Sequence, residues 1–175
     1  MKNITIISAS VRTGRKSNRV ATWFEQKLSG KGCLVTMADL KEYDFPLFHE
    51  RLRFLESPAE NLLDYAQKIK SANGIIIVTP EYNGGIPSSL KNAIDVLYDE
   101  WHGKPVALVA VSNGNFGGSQ VLTSLLFTLW KIGTWVVPAS FQVPNIDKSG
   151  TPTDEEGTNK RADAFLEKFF WHVEA

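Results

Sequence analysis

A single cysteine, Cys33, is all the thiol chemistry that this 175-residue chain holds. It excludes an intrachain disulfide and any two-cysteine metal site, and a reducing compartment is the simplest setting. Net charge is just as scarce, because Lys+Arg and Asp+Glu number 19 each. A dedicated nucleic-acid binder carries a strong basic excess, so no nucleic-acid partner is expected. Long hydrophobic runs are missing too. The longest, such as residues 106–111, fall far short of the roughly 18 residues that span a bilayer, so no membrane is expected. The first residues show too short an apolar run for a secretory signal, which makes a cytoplasmic protein the expectation. The three histidines, His49, His102 and His172, are scattered, with no H-x-x-x-H or C-x-x-C spacing for a metal. Neither G-x-S-x-G, G-x-x-x-x-G-K-[ST] nor G-x-G-x-x-G occurs. The serine-hydrolase elbow, the P-loop and the dinucleotide fingerprint are thereby absent.

The chain has ample material for a core. Hydrophobic residues make up 43% and charged residues 22%, the proportions of a globular domain. Its length fits one domain, residues 1–175, needing no staple of disulfide or metal.

Periodicity gives an order of elements. Residues 4–7 form a short β-rich run. From Ser17 to Ser29, Val20, Ala21, Phe24 and Leu28 recur at helical spacing, and Gly30 and Gly32 end the helix. Residues 33–37 read as a second strand, and 38–56 as an irregular stretch. Ser57-Pro58-Ala59-Glu60 has the form of a capping box with proline at the first helical position. Residues 75–78 and 106–111 are continuous apolar runs, as expected of strands buried on both faces. Pro87 opens a helix between them. Residues 120–132 read as a helix and 135–137 as a short fifth strand. A second capping box, residues 153–156, precedes the last helix. Alternation of this kind predicts an α/β architecture: an open, mostly parallel sheet with helices on both faces.

In such sheets ligands sit beyond the carboxyl ends of the strands, where the strand order reverses. With the order 2-1-3-4-5, that point lies between the first and third strands. The loops there are 8–17 and 79–86, with 112–118 beside them. The first is rich in hydroxyls and cations. The first 20 residues hold five basic residues and no acidic one, while the whole chain is neutral. A loop of this kind feeding a helix N-terminus suits a phosphate; the alternative is a solvated turn with an ordinary N-cap at Ser17. The second loop, Thr79-Pro80-Glu81-Tyr82-Asn83-Gly84-Gly85, combines glycines that allow close backbone approach with an aromatic face. The third, residues 112–119, is small and polar.

Two of these segments carry a family resemblance. Ala-Ser-Val-Arg-Thr-Gly-Arg (Ala9 to Arg15) and Thr-Pro-Glu-Tyr-Asn-Gly-Gly-Ile-Pro-Ser-Ser-Leu-Lys-Asn-Ala-Ile-Asp (Thr79 to Asp95) resemble the NADPH-dependent FMN reductase family. The resemblance runs on to about Pro138. Ala9 stands where the family usually has glycine, and Thr13 where relatives often have proline. The resemblance implies a flavodoxin-like three-layer fold with FMN as cofactor and NADPH as co-substrate. Hydride would pass from NADPH to FMN and on to a small-molecule electron acceptor such as a quinone, azo compound, free flavin or metal oxyanion. It also implies roles for residues. Ser10, Arg12, Ser17 and Asn18 are expected at the FMN phosphate. Pro80, Glu81, Tyr82, Asn83 and Gly84 are expected beside the isoalloxazine, with Ser112 and Gly114 flanking it. No side chain is expected to act as a catalytic acid or base, since the cofactor carries the chemistry. Arg15 and Lys16 could serve a nucleotide 2′-phosphate. Such reductases are homodimers or homotetramers, and Phe45-Pro46-Leu47-Phe48 is the stretch expected to meet another subunit. Two rival readings stay open: an electron carrier like flavodoxin, and a non-enzymatic phosphate-ligand module.

Overall fold

The computed structural model describes residues 1–146 and 155–175. Five strands, β1 (Asn3–Ser8), β2 (Leu34–Asp39), β3 (Gly74–Pro80), β4 (Pro105–Val111) and β5 (Trp135–Val143), form one sheet in the order β2-β1-β3-β4-β5. Every pairing is parallel. Between them run helices α1 (Ser17–Ser29), α2 (Leu40–Tyr43), α3 (Glu60–Ser71), α4 (Ser88–Asp95) and α5 (Ser119–Lys131), and α6 (Glu155–Glu174) follows β5. This is the flavodoxin-like arrangement expected from the sequence.

Alternation along the strands sorts side chains to two cores. Ile4 and Ile6 of β1 pack with Phe24 of α1 and Phe165 of α6 on one face. Ile7, with Ile75 and Ile77 of β3, packs with Ile69 of α3, Ile94 of α4 and Leu125 of α5 on the other. β3 and β4 are buried along nearly their whole length, which is why they read as unbroken apolar runs.

Three expectations need correction. The capping box at Ser57 does not form: α3 starts at Glu60, and its N-cap Ala59 makes no side-chain cap. Ala59 is extended (ψ 147°), so Pro58 lies outside the helix rather than at its first position. β5 runs to Val143 rather than stopping at Val137, because its pairing with β4 slips. Val106 pairs with Val136 and Leu108 with Ser140, so the extra residues around Pro138 bulge out. Proline is tolerated there because β5 is an edge strand. The stretch 38–56 is not wholly irregular, since it holds α2 and a short 3₁₀ turn at Leu52–Phe54. α2 is anchored by Tyr43, whose phenol donates to Asp64 (2.5 Å) and accepts from Lys68 (2.7 Å). Burial, together with that bond to Asp64, pushes the Tyr43 hydroxyl up to about 12. The capping box expected at 153–156 lies in part outside the described residues.

Candidate functional site

The three loops beyond the C-terminal ends of β1, β3 and β4 enclose a cleft of about 370 Å³. It lies where the strand order reverses between β1 and β3. Ser10, Arg12 and Ser17 line it from the first loop, Pro80, Glu81 and Tyr82 from the second, and Ser112 and Gly114 from the third. Arg15 and Lys16, expected near a nucleotide phosphate, also line it, as do Thr13, Gly14, Val111, Asn113 and Ile146, to which the sequence assigned no role. Asn18, Asn83 and Gly84 are not among the lining residues.

The first loop is held from behind. The Ala9 N–H donates to the Val78 carbonyl (3.0 Å), and the Ala9 carbonyl accepts from Ser89 Oγ (2.7 Å). Ala9 is fully buried in the core. Its methyl group is thus spent on packing and does not crowd the cleft. Arg15 also lines the cleft, but its guanidinium is engaged within the protein. It forms a bidentate ion pair with Asp39 at the end of β2, with Nη2 2.6 Å from Oδ2, and Nη1 donates to the Ser10 carbonyl (2.7 Å). Both side chains are only 12% exposed. Arg15 is therefore a strut of the loop, its guanidinium already paired with a carboxylate. Parallel pairing of Ser8 with Asp39 places the carboxylate there, a signal the strand order already carried.

The cleft side of the same loop is polar and incomplete. Ser17 is 3% exposed, and its Oγ has no partner among the described residues. The Asn18 Oδ1 is buried and unpartnered likewise. Ser17 is the first residue of α1 and not its cap; Lys16 holds the cap position without a side-chain bond, and no acidic residue sits in the first turn. The free N–H groups and positive end of the helix dipole are therefore uncompensated from within. Arg12 is exposed, makes no ion pair among the described residues, and lies over the Tyr82 ring at 5.5 Å. Lys16 Nζ reaches across the cleft to Asn113 Oδ1 (3.0 Å).

The second loop closes on itself. Tyr82 and Gly85 exchange two backbone bonds (3.2 and 3.0 Å) around Asn83 (φ 51°) and Gly84 (φ 74°). Positive φ at both central residues is the tight hairpin turn that Asn-Gly favours. A Cβ on Gly84 would meet no protein atom within 4 Å, so this glycine answers to turn geometry. Tyr82 Oη is bonded to Ser10 Oγ at 2.6 Å, which ties this loop to the first. Glu81 carries a role that the sequence did not disclose. Its Oε2 accepts from the backbone N–H groups of Gln120 (2.9 Å) and Val121 (3.2 Å). It caps α5, whose own N-cap, Gly118, has no side chain and sits at φ 78°. In the third loop, Ser112 Oγ accepts from the Gly114 N–H (2.9 Å), shaping the turn.

The orphaned hydroxyl, the bare helix start and the unpaired guanidinium together match a dianionic phosphate ester. The comparisons with known proteins agree. The sequence pattern of NADPH-dependent FMN reductase matches residues 2–148. This chain belongs to that family. The match reaches ten residues beyond Pro138, where the motif resemblance ended. An NAD(P)H-dependent FMN reductase from Nectria sp is 34% identical over 136 residues, covering 71% of this chain and 68% of that protein. One from Saccharomyces cerevisiae is also 34% identical, over 131 residues, covering 67% and 68%. A quinone reductase from Pseudomonas putida is 42% identical over 80 residues, covering 43% and 42%. Among solved structures, the flavoenzyme NAD(P)H:(acceptor) oxidoreductase from Paracoccus denitrificans gives a TM-score of 0.79 at 22% identity, covering 99% of this chain and 98% of that one. At that identity the likeness speaks for the fold. The residues at the cleft fit the cofactor of the family: hydroxyls and a cation at a helix start for the phosphate, and a tyrosine and glycine-bearing turns beside it.

Proposed function

We propose that this protein is an FMN-dependent NAD(P)H oxidoreductase that reduces a small-molecule acceptor, of the quinone, azo, free-flavin or metal-oxyanion kind. One observation carries the reading above all. The buried Ser17 hydroxyl lacks a partner at the uncapped start of α1, inside the cleft at the strand-order reversal.

When bound, FMN supplies the chemistry of accepting hydride from a nicotinamide and handing electrons to the acceptor. The chain supplies position. Ser10, Arg12, Ser17 and Asn18 would hold the phosphate. Tyr82 and the backbone of Pro80 and Glu81 would border the ring system, with Ser112 and Gly114 at its other side. Asn83 and Gly84 would set the curvature of the second loop rather than touch the ring. No acid–base side chain is assigned, because hydride transfer to a flavin needs none from the protein. Among the described residues no group of three or more His, Cys, Asp or Glu could hold a metal ion.

We further infer a single-domain cytoplasmic enzyme that works as a homodimer or homotetramer, without nucleic-acid or membrane partners. No described helix is long and apolar enough to cross a membrane. The carrier reading fits less well, since the loop presents Arg12 and Lys16 where an acidic carrier relies on hydroxyls.

The test is a visible spectrum of the purified protein after addition of FMN, followed by NADPH oxidation with a quinone. Flavin absorbance that survives gel filtration, with quinone-dependent turnover, is the expected result. Retention of flavin without turnover would favour the carrier. Failure to retain any flavin would overturn the proposal.

A further inference from the structure

Tyr82 belongs to the second loop, yet its side chain is engaged with the first. Its backbone is fixed just beyond β3: the Tyr82 N–H donates to the Gly85 carbonyl (3.2 Å), and the Tyr82 carbonyl accepts from the Gly85 N–H (3.0 Å). From that mount the half-buried phenol reaches Ser10, with Oη 2.6 Å from Oγ. The Arg12 guanidinium lies over the same ring, 5.5 Å from its centroid. Ser10, Arg12 and Tyr82 all line the cleft. One side chain of the second loop thus touches two of the first-loop side chains that face the phosphate socket.

The two contacts act differently. Ser10 is 1% exposed. Its carbonyl accepts from Arg15 Nη1 (2.7 Å), which sets its backbone. Its hydroxyl has Tyr82 as its one partner among the described residues. A phenol is a stronger donor than an alcohol, so the bond runs from the Tyr82 O–H to Ser10 Oγ. That direction occupies a lone pair of Ser10 and leaves its own hydrogen without an acceptor in the protein. A buried O–H in this condition is completed by a ligand oxygen, and a hydroxyl that already accepts a bond is polarised to donate a stronger one. Arg12 is exposed and makes no ion pair among the described residues, so the ring face is what restrains its charged head. A restrained guanidinium loses less freedom when it meets an anion.

We propose that Tyr82 is a positioning residue for the phosphate of FMN: its hydroxyl orients the Ser10 O–H, its ring holds the Arg12 guanidinium, and it thereby sets the preference of the cleft for a phosphorylated flavin. The inference rests on the FMN reading above and gives the second loop a share in phosphate recognition. A tether that merely joined the two loops would serve FMN and riboflavin alike, and so would a hydroxyl acting on the ring system.

Quenching titrations of the full-length, flavin-free protein with FMN and with riboflavin test this. Tyr82→Phe keeps the aromatic face and removes the hydroxyl. It should raise the Kd for FMN about tenfold, as for one weakened bond to a charged group, and leave that for riboflavin unchanged. Tyr82→Leu removes the face as well, and should narrow the FMN-over-riboflavin ratio by about a further threefold. Ser10→Ala/Tyr82→Phe should bind FMN no more weakly than Ser10→Ala alone, because the hydroxyl acts through Ser10. Ser10→Ala reads the same link from its other end should Tyr82→Phe fail to fold: it should narrow the ratio at least as far. Equal affinity of the wild-type protein for both flavins would overturn the FMN reading and this role with it. A wild-type preference for FMN that persists in full in Tyr82→Phe, or in Ser10→Ala in its place, would overturn this role alone. So would equal weakening of both flavins, or additive losses in the double variant.

Discussion

The first and second loops of the cleft differ in what they leave unfinished. Around Pro80–Gly85 the chain is braced by bonds to the protein. The Tyr82–Gly85 turn closes its own backbone bonds, Glu81 caps α5, and Tyr82 Oη meets Ser10. Around Ser10–Asn18 the back of the loop is equally well satisfied, by Asp39 on Arg15 and Ser89 on Ala9. Its cleft side keeps the Ser17 Oγ buried without a partner, and the neighbouring Asn18 Oδ1 is unpartnered too, although Asn18 does not line the cleft. A buried polar atom without a bond costs about 1–3 kcal/mol; among the described residues Ser8 Oγ, Tyr65 Oη and Trp101 Nε1 are orphaned too, but of the five such residues Ser17 is the one that lines the cleft. The second loop is a finished wall and the first an open socket. Glycine content alone suggested the reverse, since Gly84 and Gly85 looked like the place of closest ligand approach.

The contrast can be broken at its support. Asp39→Ala leaves the Arg15 guanidinium, only 12% exposed, without its carboxylate. Removing one member of a buried pair costs about 3–5 kcal/mol. A denaturant titration should show that loss, the largest expected here, and an unchanged midpoint would remove Arg15 as the strut. Arg12→Ala should do the opposite: stability unchanged, FMN affinity lowered. Charge-assisted bonds to phosphate contribute about 1.5–3 kcal/mol, or roughly one to two decades in Kd. A fluorescence titration with equal affinity in variant and wild type would take Arg12 out of the socket. Glu81→Ala should lower stability by about 0.5–2 kcal/mol, the usual cost of a lost N-cap, measured by urea unfolding. Its FMN affinity should fall less than that of Arg12→Ala; the reverse ranking would make Glu81 a ligand. Gly84→Ala should cost about 1–2 kcal/mol, because an alanine is strained at φ 74° although space is open around it. A loss of flavin far beyond that stability cost would mean that the ring presses on this turn.

Much of the fold was legible because its signals are local and redundant. β3 and β4 announce themselves as unbroken apolar runs, and Phe24 and Leu28 repeat with helical period on α1. β5 was under-read because Pro138 interrupts the pattern, and only pairing with β4 shows that the strand continues past a bulge. The Ser57 capping box failed because local propensity yielded to the path of the chain, which stays extended through Ala59. At the cleft, the residue types of the first loop and the reversal point of the sheet pointed to the loops that enclose it. The sequence could not say which of its cations the fold would pair. Arg12 and Arg15 look equivalent in the string, and the difference is made by Asp39, which parallel pairing with Ser8 brings alongside from 24 positions away. The cap that Glu81 gives to Gln120 spans 39 positions and has no local signature.

The central claim is that the first loop is a phosphate socket for FMN. It is tested most directly by comparing the affinities of FMN and riboflavin, which share the ring system and differ in the phosphate. Quenching titrations of the flavin-free protein should give FMN a Kd at least about tenfold to a hundredfold lower than that of riboflavin, as one or more charge-assisted bonds imply. In Arg12→Ala that gap should narrow. Equal affinity for FMN and riboflavin in the wild-type protein would contradict the account.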